Sequence, residues 1–115
     1  MELLASNRQV GKVTIVDLSG RITLGEGSVV LRDTVKELLS EGRNQLLIDL
    51  SGVNYIDSSG IGELVGAYTT VRNRGGEMKL LKLTQRVHDL LQVTKLLTVF
   101  ENFTDETKAV ESFGK

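Results

Sequence analysis

Residues 46–66 place an apolar run, a polar break and an amphipathic segment in immediate succession. Leu46, Leu47, Ile48 and Leu50 are interrupted only by Asp49. A run this short, bounded by polar residues, suits a strand covered on at least one face. Ser51-Gly52-Val53-Asn54 has turn composition, so the strand is predicted to stop near Leu50 and give way to a short polar loop. From Ile61 onward, apolar residues recur at Leu64, Val65, Tyr68 and Val71, one face of a helix. Asp57 or Ser58 can cap that helix, because a short side-chain oxygen accepts a hydrogen bond from an unpaired N–H of the first turn. The pair Ser58-Ser59 then sits where the helix dipole favours added negative charge.

The remaining segments are arranged around this unit. Glu2 to Arg8 and Lys12 to Leu18 read as two strands joined at Val10-Gly11, with Ser19-Gly20 closing the second. Thr23-Leu24-Gly25-Glu26 has the spacing of a capping box. It predicts a helix running to about Glu41, with Leu31, Val35, Leu38 and Leu39 as its apolar stripe and Gly42 as its stop. Arg72-Asn73-Arg74-Gly75-Gly76 suits a helix C-terminus. Met78 to Lys82 reads as a strand, Thr84 as the start of a third helix lined by Val87, Leu90 and Leu91, and Thr98 to Phe100 as a short last strand. Residues 105–113 read as a final helix anchored by Ala109, Val110 and Phe113. Strands alternating with helices predict an α/β sheet whose later strands pair in parallel, while the first two can be antiparallel.

Composition removes several function classes. The 115 residues suffice to bury roughly two-thirds of the unfolded-chain surface, enough for one domain. A net charge of −1 gives no electrostatic argument for nucleic acid. With no cysteine and one histidine, thiolate and multi-histidine metal sites are excluded. No apolar run approaches the ~20 residues that span a bilayer, and Met1-Glu2-Leu3-Leu4-Ala5-Ser6 lacks the basic and apolar parts of a signal segment. The expectation is a cytoplasmic protein without membrane contact or cofactor.

Enzyme motifs fit poorly. A nucleophile elbow needs a glycine where Ile56 stands. Gly60, Gly62 and Gly66 have one residue too many for a dinucleotide fingerprint. Asp49 lacks the paired carboxylates of an aspartyl phosphorylation site, and Asp49 and Asp57 read as loop and capping groups. His88 reads as a half-exposed surface residue, and Arg72, Arg74, Lys79 and Lys82 as a solvated rim. Gly60, Gly62 and Gly66 leave one helix face without bulk, open either to the chain's own sheet or to a partner backbone. Tyr55, amphipathic and beside the serines, is expected to be exposed and to touch a partner.

Asp57-Ser58-Ser59-Gly60-Ile61-Gly62 after an apolar strand, with Gly75-Gly76-Glu77-Met78 one helix later and Leu18-Ser19-Gly20 before it, resembles the STAS domain of anti-sigma factor antagonists over nearly the whole chain. The resemblance implies one STAS domain over residues 1–115. Its fold would be α/β, a mixed sheet of four to five strands with helices packed mainly on one side. It also implies a non-enzymatic module that binds an anti-sigma factor serine kinase and so frees a sigma factor. Phosphorylation at Ser58 would release the kinase, and a metal-dependent serine phosphatase would reverse it. Partner contacts would come from Thr23, Tyr55, Asp57, Ser58, Ser59, Gly60, Ile61 and Gly62. Thr23 stands in a region that is acidic in many members. The alternative is an unphosphorylated STAS scaffold, or an accessory domain of a transporter or other regulatory complex.

Overall fold

A computed structural model describes residues 2–114. A five-stranded sheet has the order β1 (Leu3–Val10), β2 (Val13–Ile22), β3 (Gln45–Ile56), β4 (Glu77–Leu81) and β5 (Asn102–Phe103). β1 and β2 form an antiparallel hairpin, and every later neighbour pairs in parallel. The parallel connections are made by α1 (Glu26–Ser40), α2 (Ser58–Asn73) and α3 (Gln85–Val93), and α4 (Glu106–Ser112) follows β5. This is the mixed α/β sheet expected from the sequence.

The two-residue period of the strands divides the interior. Val16, Leu18 and Ile22 of β2, Leu46, Ile48 and Leu50 of β3 and Met78 and Leu80 of β4 face one side. There they meet Leu31 and Val35 of α1, Ile61, Leu64 and Val71 of α2, and Val87 and Leu91 of α3. Val13, Ile15, Leu47 and Leu81 face the other side and are covered by Ala109 and Phe113 at the α4 end. Three helices thus share one face and the short α4 takes the other. Truncating a fully buried residue such as Leu64 to alanine carries a typical cost of about 2–5 kcal/mol.

Several boundaries differ from the sequence reading, each for a physical reason. β3 does not stop at Leu50. It continues through Ser51-Gly52-Val53-Asn54 to Ile56, pairing with β2 across a bulge, because Val53 and Ile56 are both buried. Gly52 marks a close approach rather than a turn, since a Cβ there would lie 2.8 Å from the Leu18 carbonyl oxygen. β2 likewise passes Ser19-Gly20 and ends at Ile22. The capping box at Thr23 does not form. α1 begins at Glu26 after Gly25, without a side-chain cap. The N-terminal segment takes both would-be capping groups: the Thr23 hydroxyl donates to the Glu2 carboxylate, and Glu26 accepts from the Glu2 N–H. The last strand is Asn102–Phe103, not 98–100, because Phe100 is drawn into the core, edge-on to Tyr68 at 5.2 Å between centroids.

Lys79 is not part of a solvated rim. It shares a strand face with Leu81 and is only 5% exposed. Its ammonium donates to the Ser112 carbonyl and hydroxyl oxygens at 3.0 and 2.9 Å and pairs with Glu101 at 3.0 Å. The Phe113 ring centroid lies 4.8 Å away. A desolvated cation with this many partners anchors α4.

The start of α4 is tied to the sheet edge by Arg8, which donates to Asp17 at 2.9 Å and to both Glu106 oxygens at 2.7 and 3.0 Å. The Arg8 hydrogen bonds hold the Glu106 carboxyl below its ordinary range. A depressed carboxylate stabilises the fold above its unfolded-state pKa, and that contribution is lost as pH falls through its folded value. Arg8→Gln is therefore expected to cost less than about 1 kcal/mol at neutral pH, because both side chains are largely solvated. The difference from the parent should vanish in acid. Urea denaturation across pH checks both points, and a gap that persists below the carboxylate range would contradict this role.

Candidate functional site

The end of β3 runs directly into α2 through Asp57, with no intervening loop. Asp57 is extended (φ −111°, ψ −175°) and caps α2: its Oδ1 accepts from the Gly60 N–H at 2.9 Å. Its Oδ2 accepts from the Leu24 N–H at 3.4 Å, and its own N–H donates to the Ile22 carbonyl at 3.4 Å. One residue thereby joins three elements: the end of β2, the β2–α1 loop and the first turn of α2.

Gly60 sets how closely they approach. A Cβ at Gly60 would lie 2.1 Å from the Ile22 carbonyl oxygen, so only glycine lets the helix sit there. Gly62 and Gly66 behave differently. A Cβ at either would meet nothing within 4 Å, and both positions are exposed. The glycine face is therefore split, with Gly60 serving the chain's own sheet and Gly62 and Gly66 left open.

Ser58 is the first residue of α2 and is exposed, while Ser59 is half-buried. Among the described residues, no group hydrogen-bonds the Ser58 hydroxyl. Asp57 performs the capping, which leaves that hydroxyl free at the positive end of the helix. Ile61 is buried in the core beneath α2, so its side chain holds the helix down. Thr23 is half-buried and engaged by Glu2. Tyr55 is half-buried rather than freely exposed, because two guanidinium groups lie over its ring: Arg21 at 4.8 Å and Arg86 at 4.0 Å from the centroid.

Sequence reasoning singled out Tyr55 and Asp57 beside Ser58 but not Leu24, Arg86 or Val93. Leu24 and Val93 are the most exposed large apolar side chains, at 79% and 78%. Leu24 is hydrogen-bonded through its backbone to Asp57. Val93 lines a cavity of ≈ 560 Å³ together with Tyr55, Asp57, Ser58, Arg86 and Leu90. The signal for Leu24 was present in the sequence as an apolar residue wedged between Thr23 and Gly25. Nothing local tied Arg86 to Tyr55. Among the described residues no group of three potential metal ligands comes together, and no helix is long and apolar enough to cross a membrane.

This arrangement offers an exposed hydroxyl with apolar and cationic neighbours, and among the described residues that hydroxyl has no hydrogen-bond partner. The hydroxyl is reachable from solvent at the mouth of the cavity that it lines with Tyr55, Arg86 and Val93.

The model of the STAS domain family matches residues 5–109. The chain is 34% identical over 86 residues to the anti-sigma-B factor antagonist of Bacillus subtilis, covering 75% of this chain and 77% of that one. The crystal structure of an anti-sigma factor antagonist from Mycobacterium paratuberculosis superposes with a TM-score of 0.83 at 16% identity, covering 99% and 96% of the two chains. The Bacillus cell-fate determinant SpoIIAA, solved in its phosphorylated form, superposes with a TM-score of 0.71 at 17% identity, covering 94% and 97%.

Substituting Asp57 with alanine removes the cap and is expected to cost about 0.5–2 kcal/mol, with faster amide exchange at Leu24 and Gly60. Gly60→Ala should cost about 1–3 kcal/mol or more through overpacking. Gly62→Ala, in open space within a helix, should stabilise by about 0.5–1 kcal/mol. Urea midpoints measure all three, and equal effects of the two glycine substitutions would refute the split assigned to this face.

Proposed function

The chain belongs to the STAS domain family, and from that premise we propose that it is an anti-sigma factor antagonist switched by phosphorylation of Ser58. In its unmodified form it binds an anti-sigma factor that is also a serine kinase, and so frees a sigma factor. Transfer of phosphate to the Ser58 hydroxyl releases the kinase, and a serine phosphatase restores the binding form. The whole of residues 1–115 serves as one such module, acting in the cytoplasm and without catalysis of its own. Related proteins of the same overall length carry the antagonist name, and one neighbour in fold is known in a phosphorylated form.

The observation that carries this reading is the place of Ser58: an exposed, uncommitted hydroxyl at the start of α2, with exposed Val93 lining the same cavity and exposed Leu24 hydrogen-bonded through its backbone to the neighbouring Asp57. A partner covering this surface buries apolar area around the hydroxyl, with Tyr55, Asp57, Ser59, Thr23 and the open face at Gly62 at its margins. Gly60 and Ile61 support the surface from beneath.

Physics then separates the two states. A phosphate adds about −1.5 to −2 charge at neutral pH. In the free protein, the exposed helix N-terminus stabilises that charge by about 0.3–1 kcal/mol. Inside an apolar interface the same charge loses its water without a matched partner, at a cost of several kcal/mol. A net loss of about 3–4 kcal/mol corresponds to a hundred- to thousandfold weaker complex. The fold itself need not change, because the cap belongs to Asp57.

The test pairs the protein with its cognate anti-sigma kinase. Ser58→Ala should bind like the parent and accept no phosphate, while the phosphorylated parent and Ser58→Asp should bind at least about a hundredfold more weakly. Absence of phosphate on Ser58 after incubation with kinase and ATP, together with unaltered binding by Ser58→Asp, would refute the switch.

A further inference from the structure

We infer that the Arg21–Tyr55–Arg86 group is a built-in receptor for the phosphate on Ser58, holding the modified side chain against the protein's own surface when no partner is bound. The inference rests on the reading of Ser58 as the modified residue and concerns what happens to the phosphate afterwards.

The group is assembled from three elements. Arg21 and Tyr55 are register partners on β2 and β3, set side by side by the bulge between Gly20 and Arg21. Arg86 reaches the same ring from the first turn of α3. Both guanidinium groups lie within cation–π distance of one aromatic face system, at 4.8 and 4.0 Å from its centroid. Yet neither has a carboxylate within ion-pair distance among the described residues, unlike Arg8 and Arg32, which are each paired. Two like charges gathered on one tyrosine, with their N–H donors uncommitted, are arranged for an anion. A guanidinium offers the planar, two-pronged donor set that phosphate oxygens accept.

The anion has a defined source. Ser58 is three residues beyond Tyr55 and lines the same ≈ 560 Å³ cavity as Tyr55 and Arg86. The charged groups lining that cavity are Asp57 at the head of α2 and Arg86 and Asp89 from α3, with Arg21 4.8 Å from the centroid of the tyrosine ring that lines it. His88 lines a different cavity, with Leu83 and Phe103. Both aspartates already accept hydrogen bonds, Asp57 from Gly60 and Leu24 and Asp89 from Gln85. They do not occupy the arginines, but they repel a second negative charge on a phosphate. The arginines decide whether the phosphate is held as a dianion there.

This makes the second ionisation of the phosphoserine the quantity to measure. Phosphoserine is installed at position 58 of the full chain during translation, so that no kinase is needed, and its 31P shift is followed against pH. In the parent, the second pKa should fall below its usual value of about 6. In Arg86→Gln it should rise by about half a unit or more, because the aspartates then act unopposed. Arg21→Gln should raise it by a smaller amount. The helix N-terminus is common to all these proteins and cancels in the comparison. Circular dichroism confirms that the variants are folded. A parent value at or above that of free phosphoserine, or a change of less than about half a unit in Arg86→Gln, overturns the receptor. Because the phosphate is placed during translation, without a kinase, that result leaves the kinase-driven switch standing. Conversely, a protein that no kinase modifies can still pass this test.

Discussion

The position of Ser58 depends on a contact that involves no side chain at its centre: the backbone of Gly60 pressed against the carbonyl oxygen of Ile22. That approach fixes the first turn of α2 against the end of β2. The Asp57 carboxylate then reaches both the helix and the N–H of Leu24. From this follow the cap, the placement of the β2–α1 loop and the exposure of the hydroxyl. A bulkier residue at position 60 would lift the helix and separate groups that are useful only together.

The two faces of the sheet carry different burdens. The larger core, under α1, α2 and α3, supplies most of the apolar burial and holds the helix that bears Ser58. The smaller one, under α4, contains the buried Lys79 ammonium, matched by Ser112, Glu101 and the Phe113 ring. A seven-residue helix has little stability of its own, and this polar anchor compensates for its short length. The end that bears Ser58 and the α4 face are thus stabilised by separate sets of contacts.

What could be read from the sequence was local. Of the two candidates Asp57 and Ser58 it is Asp57 that caps α2, Thr84 opens α3 as its N-cap, Gly42 follows the end of α1, and Gly75-Gly76 closes α2. The parallel pairing also followed from the order of elements, and the predominance of helices on one face from the family resemblance. What escaped depends on residues distant in sequence. Gly52 and Gly20 look like turn residues, but their freedom is used for close approach and a bulge within long strands. Thr23 and Glu26 have capping spacing, but Glu2 competes for both. Lys79 looks like a surface charge until α4 folds over it. The convergence of Arg21 and Arg86 on Tyr55 is a tertiary event with no local signature.

The free state of the Ser58 hydroxyl has a consequence for how such proteins diversify. Because Asp57 does the capping, the residue at position 58 contributes almost nothing to holding the helix. Selection can therefore alter it without first finding compensating changes elsewhere. A duplicated copy that exchanged this serine for alanine would keep its architecture and, under the switch proposed above, become a permanently engaged antagonist in a single step. The physics of the domain sets no barrier to that exchange.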